Sequence, residues 1–106
     1  MPARYRGLVD ERKIKAGVER ARRALRPDVV RILYSFDEDW TGRESLFFKI
    51  ILSDAAAEPK GLGEVIQRIE RRIKKEIKAD ELIFFPYFNY RSESEQAELR
   101  ELSWER

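Results

Sequence analysis

Asp37, Glu38 and Asp39, in the stretch FDEDW, are the residues of this sequence best spaced to do chemistry. Carboxylates clustered at the end of a strand can hold Mg²⁺ for phosphoryl transfer. Glu44 and Asp54 would join them if a hairpin brought their loops together. Such an enzyme also needs a lysine or a glycine-rich cradle for phosphate, and no P-loop, GxSxG or GxGxxG spacing accompanies the acids. Acidic residues before a Thr-Gly pair are ordinarily turn formers. Asp37 and Asp39 therefore stand as weak metal candidates. No metal and no cofactor is expected, and the sequence leans away from an intrinsic catalytic centre. The chain has no cysteine, which rules out disulfides, thiolate metal sites and cysteine nucleophiles. It has no histidine either, so the commonest general base is missing.

Two other patterns have the chemistry of binding. Arg68, Arg71, Arg72, Lys75 and Lys78 recur in steps of three and four, and so share the outward face of a helix. Arg12, Lys15, Arg22, Arg23 and Arg26 add positive charge to an earlier helix. Such a face is either a solvated, ion-paired surface, a dock for an acidic protein, or a footprint for nucleic acid. The second pattern is FFPYFNY, residues 84–90, an aromatic stretch running into arginine, serine and glutamate. Aromatic rings on a sheet flanked by cations can stack bases, and they can equally be core.

Local signals place these residues on elements. DERKIKAGVERARRALRP has one apolar stripe, Ile14, Val18, Ala21 and Leu25, with Asp10 as N-cap and Pro27 as stop. Gly17 weakens that helix by roughly 1 kcal/mol relative to alanine. The β-branched and aromatic runs 28–36 and 45–53 read as strands joined by the polar turn 37–44, most simply an antiparallel hairpin. A helix over 62–78 has the stripe Leu62, Val65, Ile66, Ile69, Ile73 and Ile77. Residues 81–90 read as a third strand, in which Pro86 implies an edge position or a bulge. In the tail, Ser92-x-x-Glu95 is a capping box compatible with a short C-terminal helix.

The order α-β-β-α-β implies an α+β, two-layer sandwich, a three-stranded sheet with two amphipathic helices on one face. This order of elements resembles the type II KH-like fold, in which one sheet carries its helices on one side. KH domains that bind RNA carry a GxxG loop between two helices. Here Gly61-Leu62-Gly63 precedes a single helix, so the resemblance implies the fold and no RNA site.

Alternation along the strands puts Val30, Ile32, Tyr34 and Phe36 on one side of the first strand and Val29, Arg31, Leu33 and Ser35 on the other. Phe47, Lys49 and Ile51 share the second side. A sheet with helices on one face only would thus leave an apolar reverse face. That face is covered by the chain's own tail, through Leu99, Leu102 and Trp104, or by a partner. The expected partner surface is Phe47, Lys49, Ile51, Tyr87, Tyr90 and Arg91.

The bulk properties fit one domain spanning 1–106, with 92–106 as an acidic tail or short helix. Charged residues make up 40% of the chain, yet the net charge is only +2. The excess alternates, at +6 over 1–36, −4 over 37–59, +4 over 60–79 and −4 over 80–106. Abundant charge with few thermolabile residues is also a thermophile tendency, in which case many charges are surface ion pairs. No stretch approaches the ~18 apolar residues of a membrane span, and no signal-peptide region follows the first residues, so a cytoplasmic location is expected. The leading expectation for function is a non-catalytic protein-interaction or assembly module, a homodimer or a subunit of a complex. The alternative is RNA or single-stranded nucleic-acid binding through the basic face or the aromatic sheet. Phosphoryl chemistry comes third.

Overall fold

The computed structural model describes residues 10–100 and residue 104. Helix α1 (Glu11–Ala24) starts where the Asp10 carboxylate accepts the backbone N–H of Arg12 at 3.0 Å. Its predicted stripe, Ile14, Val18, Ala21 and Leu25, is buried. Helix α2 (Leu62–Ile77) buries Ile69, Ile73 and Ile77 against the same core. Gly17 is where the two helices meet. A Cβ added there would lie 2.7 Å from the backbone oxygen of Glu76, so only a residue without a side chain permits this approach. The penalty assigned to Gly17 from propensity alone is therefore offset by interhelical packing. Arg20 locks the same junction, with Nε 2.9 Å from Glu76 Oε1 and Nη2 donating to the Glu76 carbonyl at 3.2 Å.

Strand β1 (Val29–Glu38) pairs antiparallel with β2 (Glu44–Leu52), the expected hairpin. Strand β3 (Phe85–Ser92) lies parallel to β2 on its other side, giving the order β1-β2-β3. A parallel neighbour needs a long crossover, and the segment carrying α2 supplies it. Both helices pack on one face, against Leu46, Phe48, Ile50 and Leu52 of the central strand. The result is a mixed three-stranded sheet in an α-β-β-α-β-α order, and β3 is an edge strand, as Pro86 implies. Helix α3 (Glu93–Leu99) follows directly. It begins with the predicted capping box, Glu95 N donating to Ser92 Oγ at 3.1 Å and Ser92 N to Glu95 Oε1 at 2.9 Å.

Two expectations need correction. The register shifts between Val29 and Arg31, a bulge that strict alternation does not foresee. Val29 therefore joins Leu52 on the helix side and is buried, while Val30 is pushed out and 41% exposed. The third strand also starts later than residue 81. Residues Ala79–Glu81 close a 3₁₀ turn, and Phe84 turns into the core to pack edge-on against Phe36 at 4.8 Å.

Candidate functional site: the open face of the sheet

The face away from α1 and α2 is organised in lateral rows, one residue from each strand. From one end to the other they run Arg31–Ile51–Arg91, Leu33–Lys49–Asn89, Ser35–Phe47–Tyr87 and Asp37–Ser45–Phe85. One end is cationic around an isoleucine, and the other is aromatic beside the acidic turn.

The cationic end is closed by the chain itself. Trp104 is only 7% exposed, with the Arg91 guanidinium 4.4 Å and Lys49 Nζ 5.9 Å from its ring centroid. Ile51, paired with Arg91 across β2 and β3, is buried. Arg91 also donates to Gln96 Oε1 at 3.1 Å, and Ser94 donates its N–H and hydroxyl to Asp54, so α3 is tied to this end of the sheet. The Ser94 hydroxyl and N–H hold the Asp54 carboxyl below the usual carboxylate range. Of the two covers expected for the reverse face, the chain's own tail supplies this end through Trp104, whereas Leu99 points to solvent at 53% exposure and Leu102 lies outside the described residues.

The aromatic end is open. Phe47 and Tyr87 stack across β2 and β3 with centroids 5.1 Å apart and planes at 13°, and Phe85 meets Tyr87 edge-on at 4.9 Å. The Arg43 guanidinium lies 4.7 Å above Phe85. The β1–β2 turn is built around Asp39. Its Oδ1 accepts from Thr41 N at 2.9 Å, Thr41 Oγ1 at 2.6 Å and Arg43 N at 3.0 Å, while Oδ2 accepts from the Tyr87 hydroxyl at 2.7 Å. The Thr41 and Tyr87 hydroxyls hold the Asp39 carboxyl far below the carboxylate range, and Asp39 in turn raises the Tyr87 phenol. Gly42, at φ 86°, makes the left-handed step of this turn. The turn lifts Trp40 into solvent at 93% exposure, and Ile83 and Phe85, where the chain enters β3, are 49% and 39% exposed.

The candidate residues accordingly separate. Phe47 and Tyr87 are on the open end. Lys49 and Arg91 lie beside Trp104, and Ile51 is buried in the same row as Arg91. Tyr90 is on the opposite face, paired with Ile50, and its hydroxyl donates to Glu70 Oε2 at 2.8 Å. Burial and then Glu70 push that phenol far above its ordinary value. Trp40, Arg43 and Phe85 were absent from the sequence-based set. Exposure of a tryptophan inside a polar turn has no periodicity to betray it, and only the bare residue type could have drawn attention.

The acidic cluster does not assemble. Asp39 spends its acceptors on the turn, and Asp37 Oδ1 accepts the backbone N–H of Glu38 at 2.8 Å. Glu44 faces the helix side, opposite Glu38, and its carboxylate oxygens are buried without a hydrogen-bond partner. Asp54 lies beyond the far end of β2, roughly 30 Å of strand away. Among the described residues no group of acidic side chains is arranged to hold a metal ion.

The basic face of α2 is partly neutralised. Arg68 pairs with Asp28 across the fold, and Arg72 Nε lies 2.9 Å from Glu76 Oε2. Arg71, Lys75 and Lys78 are exposed. Among the described residues no helix is long and apolar enough to cross a membrane. No protein-family model matches the chain, and no curated protein or solved structure matches it either.

Proposed function

We propose that this protein is a non-catalytic binding module that docks another protein, or a second copy of itself, through the aromatic end of its open sheet face. The observation that carries this is the Phe47–Tyr87 stack and the Arg43–Phe85 contact at the end of the sheet whose turn, bound to Tyr87 through Asp39, carries the exposed Trp40. Exposed apolar groups contiguous on one surface mark interaction sites, and tryptophan, tyrosine and arginine are the residue types that dominate binding hot spots. β3 adds an unpaired strand edge along the same surface.

Protein is favoured over nucleic acid by how the rings are used. Phe47 and Tyr87 spend facing ring surfaces on each other, and Arg43 occupies a face of Phe85. Base stacking needs free ring faces. Asp37 and Asp39 also border this end, where they would repel phosphate.

A photo-crosslinker tests the proposal. Trp40→p-benzoylphenylalanine, expressed in the source cell, should give a discrete cross-linked species that the same label at Arg71 on the helix side does not. Equal labelling from both positions, or none from position 40, would end this reading.

A further inference from the structure

Strand β1 is the other edge of the sheet, and unlike β3 it carries no proline from Val29 to Glu38. Hydrogen-bonded and non-hydrogen-bonded pairs alternate along an antiparallel ladder. The Asp39 N–H donates to the Arg43 carbonyl at 2.9 Å, which sets the phase of the hairpin. Asp37, Ser35, Leu33 and Arg31 therefore direct their backbone groups to β2, and Phe36, Tyr34 and Ile32 direct theirs outward. Among the described residues no strand pairs with that outer edge. Such a row is a template for another extended backbone. Beside it, between α1 and β1, lies a groove of about 340 Å³ lined by Val18, Ile32 and Tyr34. Its rim holds Lys15, Glu19 and Arg22, charges of both signs that favour neither a polyanion nor a polycation.

We propose that β1 pairs with β1 of a second copy of this chain, antiparallel about a two-fold axis at Tyr34, joining two three-stranded sheets into one. The strand is complementary to itself in this register. Arg31 and Asp37, both exposed on the open face, each come opposite the other residue of the second copy. On the helix side Ile32 comes opposite Phe36, and Tyr34 opposite Tyr34. Opposite charges and apolar pairs directly across two strands are stabilising. The phase agrees as well, since the residues with outward backbone groups meet one another, and each such pair exchanges two hydrogen bonds. Sliding the copy by two residues keeps the phase but sets Arg31 opposite Ser35 or Asp39, and Asp39 is already committed to Thr41, Arg43 and Tyr87. The edge of β1 is a different surface from the aromatic end, and neither assignment depends on the other.

Sedimentation velocity of the native chain between about 1 and 500 µM should show a reversible monomer–dimer equilibrium, governed by mass action. Arg31→Asp or Asp37→Arg alone should weaken dimerisation about tenfold or more, because a two-fold axis counts each change twice. The two substitutions together should restore it, which a merely structural role would not do. Introduced cysteines read the register, since the chain has none of its own. A mixture of Leu33→Cys and Ser35→Cys chains should form a disulfide-linked dimer that neither forms alone, because these positions face each other across the axis. A chain that stays monomeric over this range overturns the proposal, as does a dimer indifferent to Arg31→Asp. A dimer lost on Trp40→Ala would move the contact to the aromatic end and overturn it too. Cross-linking by Leu33→Cys alone would slide the strands by two residues and overturn the Arg31–Asp37 pairing.

Discussion

The two tryptophans of this chain stand at opposite ends of the sheet and differ almost completely in exposure, 7% for Trp104 and 93% for Trp40. Trp104 sits beside Lys49 and Arg91, where the chain has supplied its own cover. Trp40 is held out by a turn whose Thr41 and Arg43 donors are committed to the Asp39 carboxylate. The same residue type therefore serves stability at one end and remains free for contact at the other. A sheet with helices on one side need not expose its whole reverse face. How much is left open depends on where the tail returns.

Trp104→Ala should show the largest effect on stability. Removing a buried tryptophan should lower the unfolding free energy by about 3 kcal/mol, read from urea denaturation. A loss similar to that from Trp40→Ala would erase the distinction between the two ends.

Acid should have an intermediate effect, and it reaches both ends. Asp39 at the aromatic end and Asp54 at the covered end have folded-state pKa values below their unfolded ones. A depressed carboxylate contributes stability above its unfolded pKa and loses it as protonation sets in below. The urea midpoint should be flat above about pH 5 and fall progressively below about pH 4. Asp39→Asn should make that acid limb shallower, and an unchanged limb would show that the turn does not depend on the Asp39 charge.

Trp40→Ala should have the smallest effect, within about 0.5 kcal/mol of the native protein, since an exposed side chain has little packing to lose. Acrylamide should quench Trp40 fluorescence in Trp104→Phe far more strongly than Trp104 fluorescence in Trp40→Phe. Equal quenching would contradict the contrast in exposure.

Much of the scaffold was legible in the sequence because its signals are local. The stripe of α2 buries Ile69, Ile73 and Ile77, the capping box of α3 forms with both hydrogen bonds, and Pro86 lies on an edge strand. Gly17 was legible only as a weakness, because its benefit depends on a backbone brought close by the fold. The bulge that exchanges Val29 and Val30 was hidden, since either residue suits a strand and only pairing with β2 reveals the extra one. Of the expected partner surface, Phe47 and Tyr87 remain open, while Ile51 is covered and Tyr90 faces α2.

The order of elements, their apolar faces and the caps that start them were determined by the sequence alone, because each depends on residues within a few positions of one another. Tertiary structure decided which part of the reverse face stays open. That outcome rests on Trp104 meeting Lys49 and Arg91 and on Asp39 meeting Tyr87, contacts between residues far apart in the chain that no periodicity records.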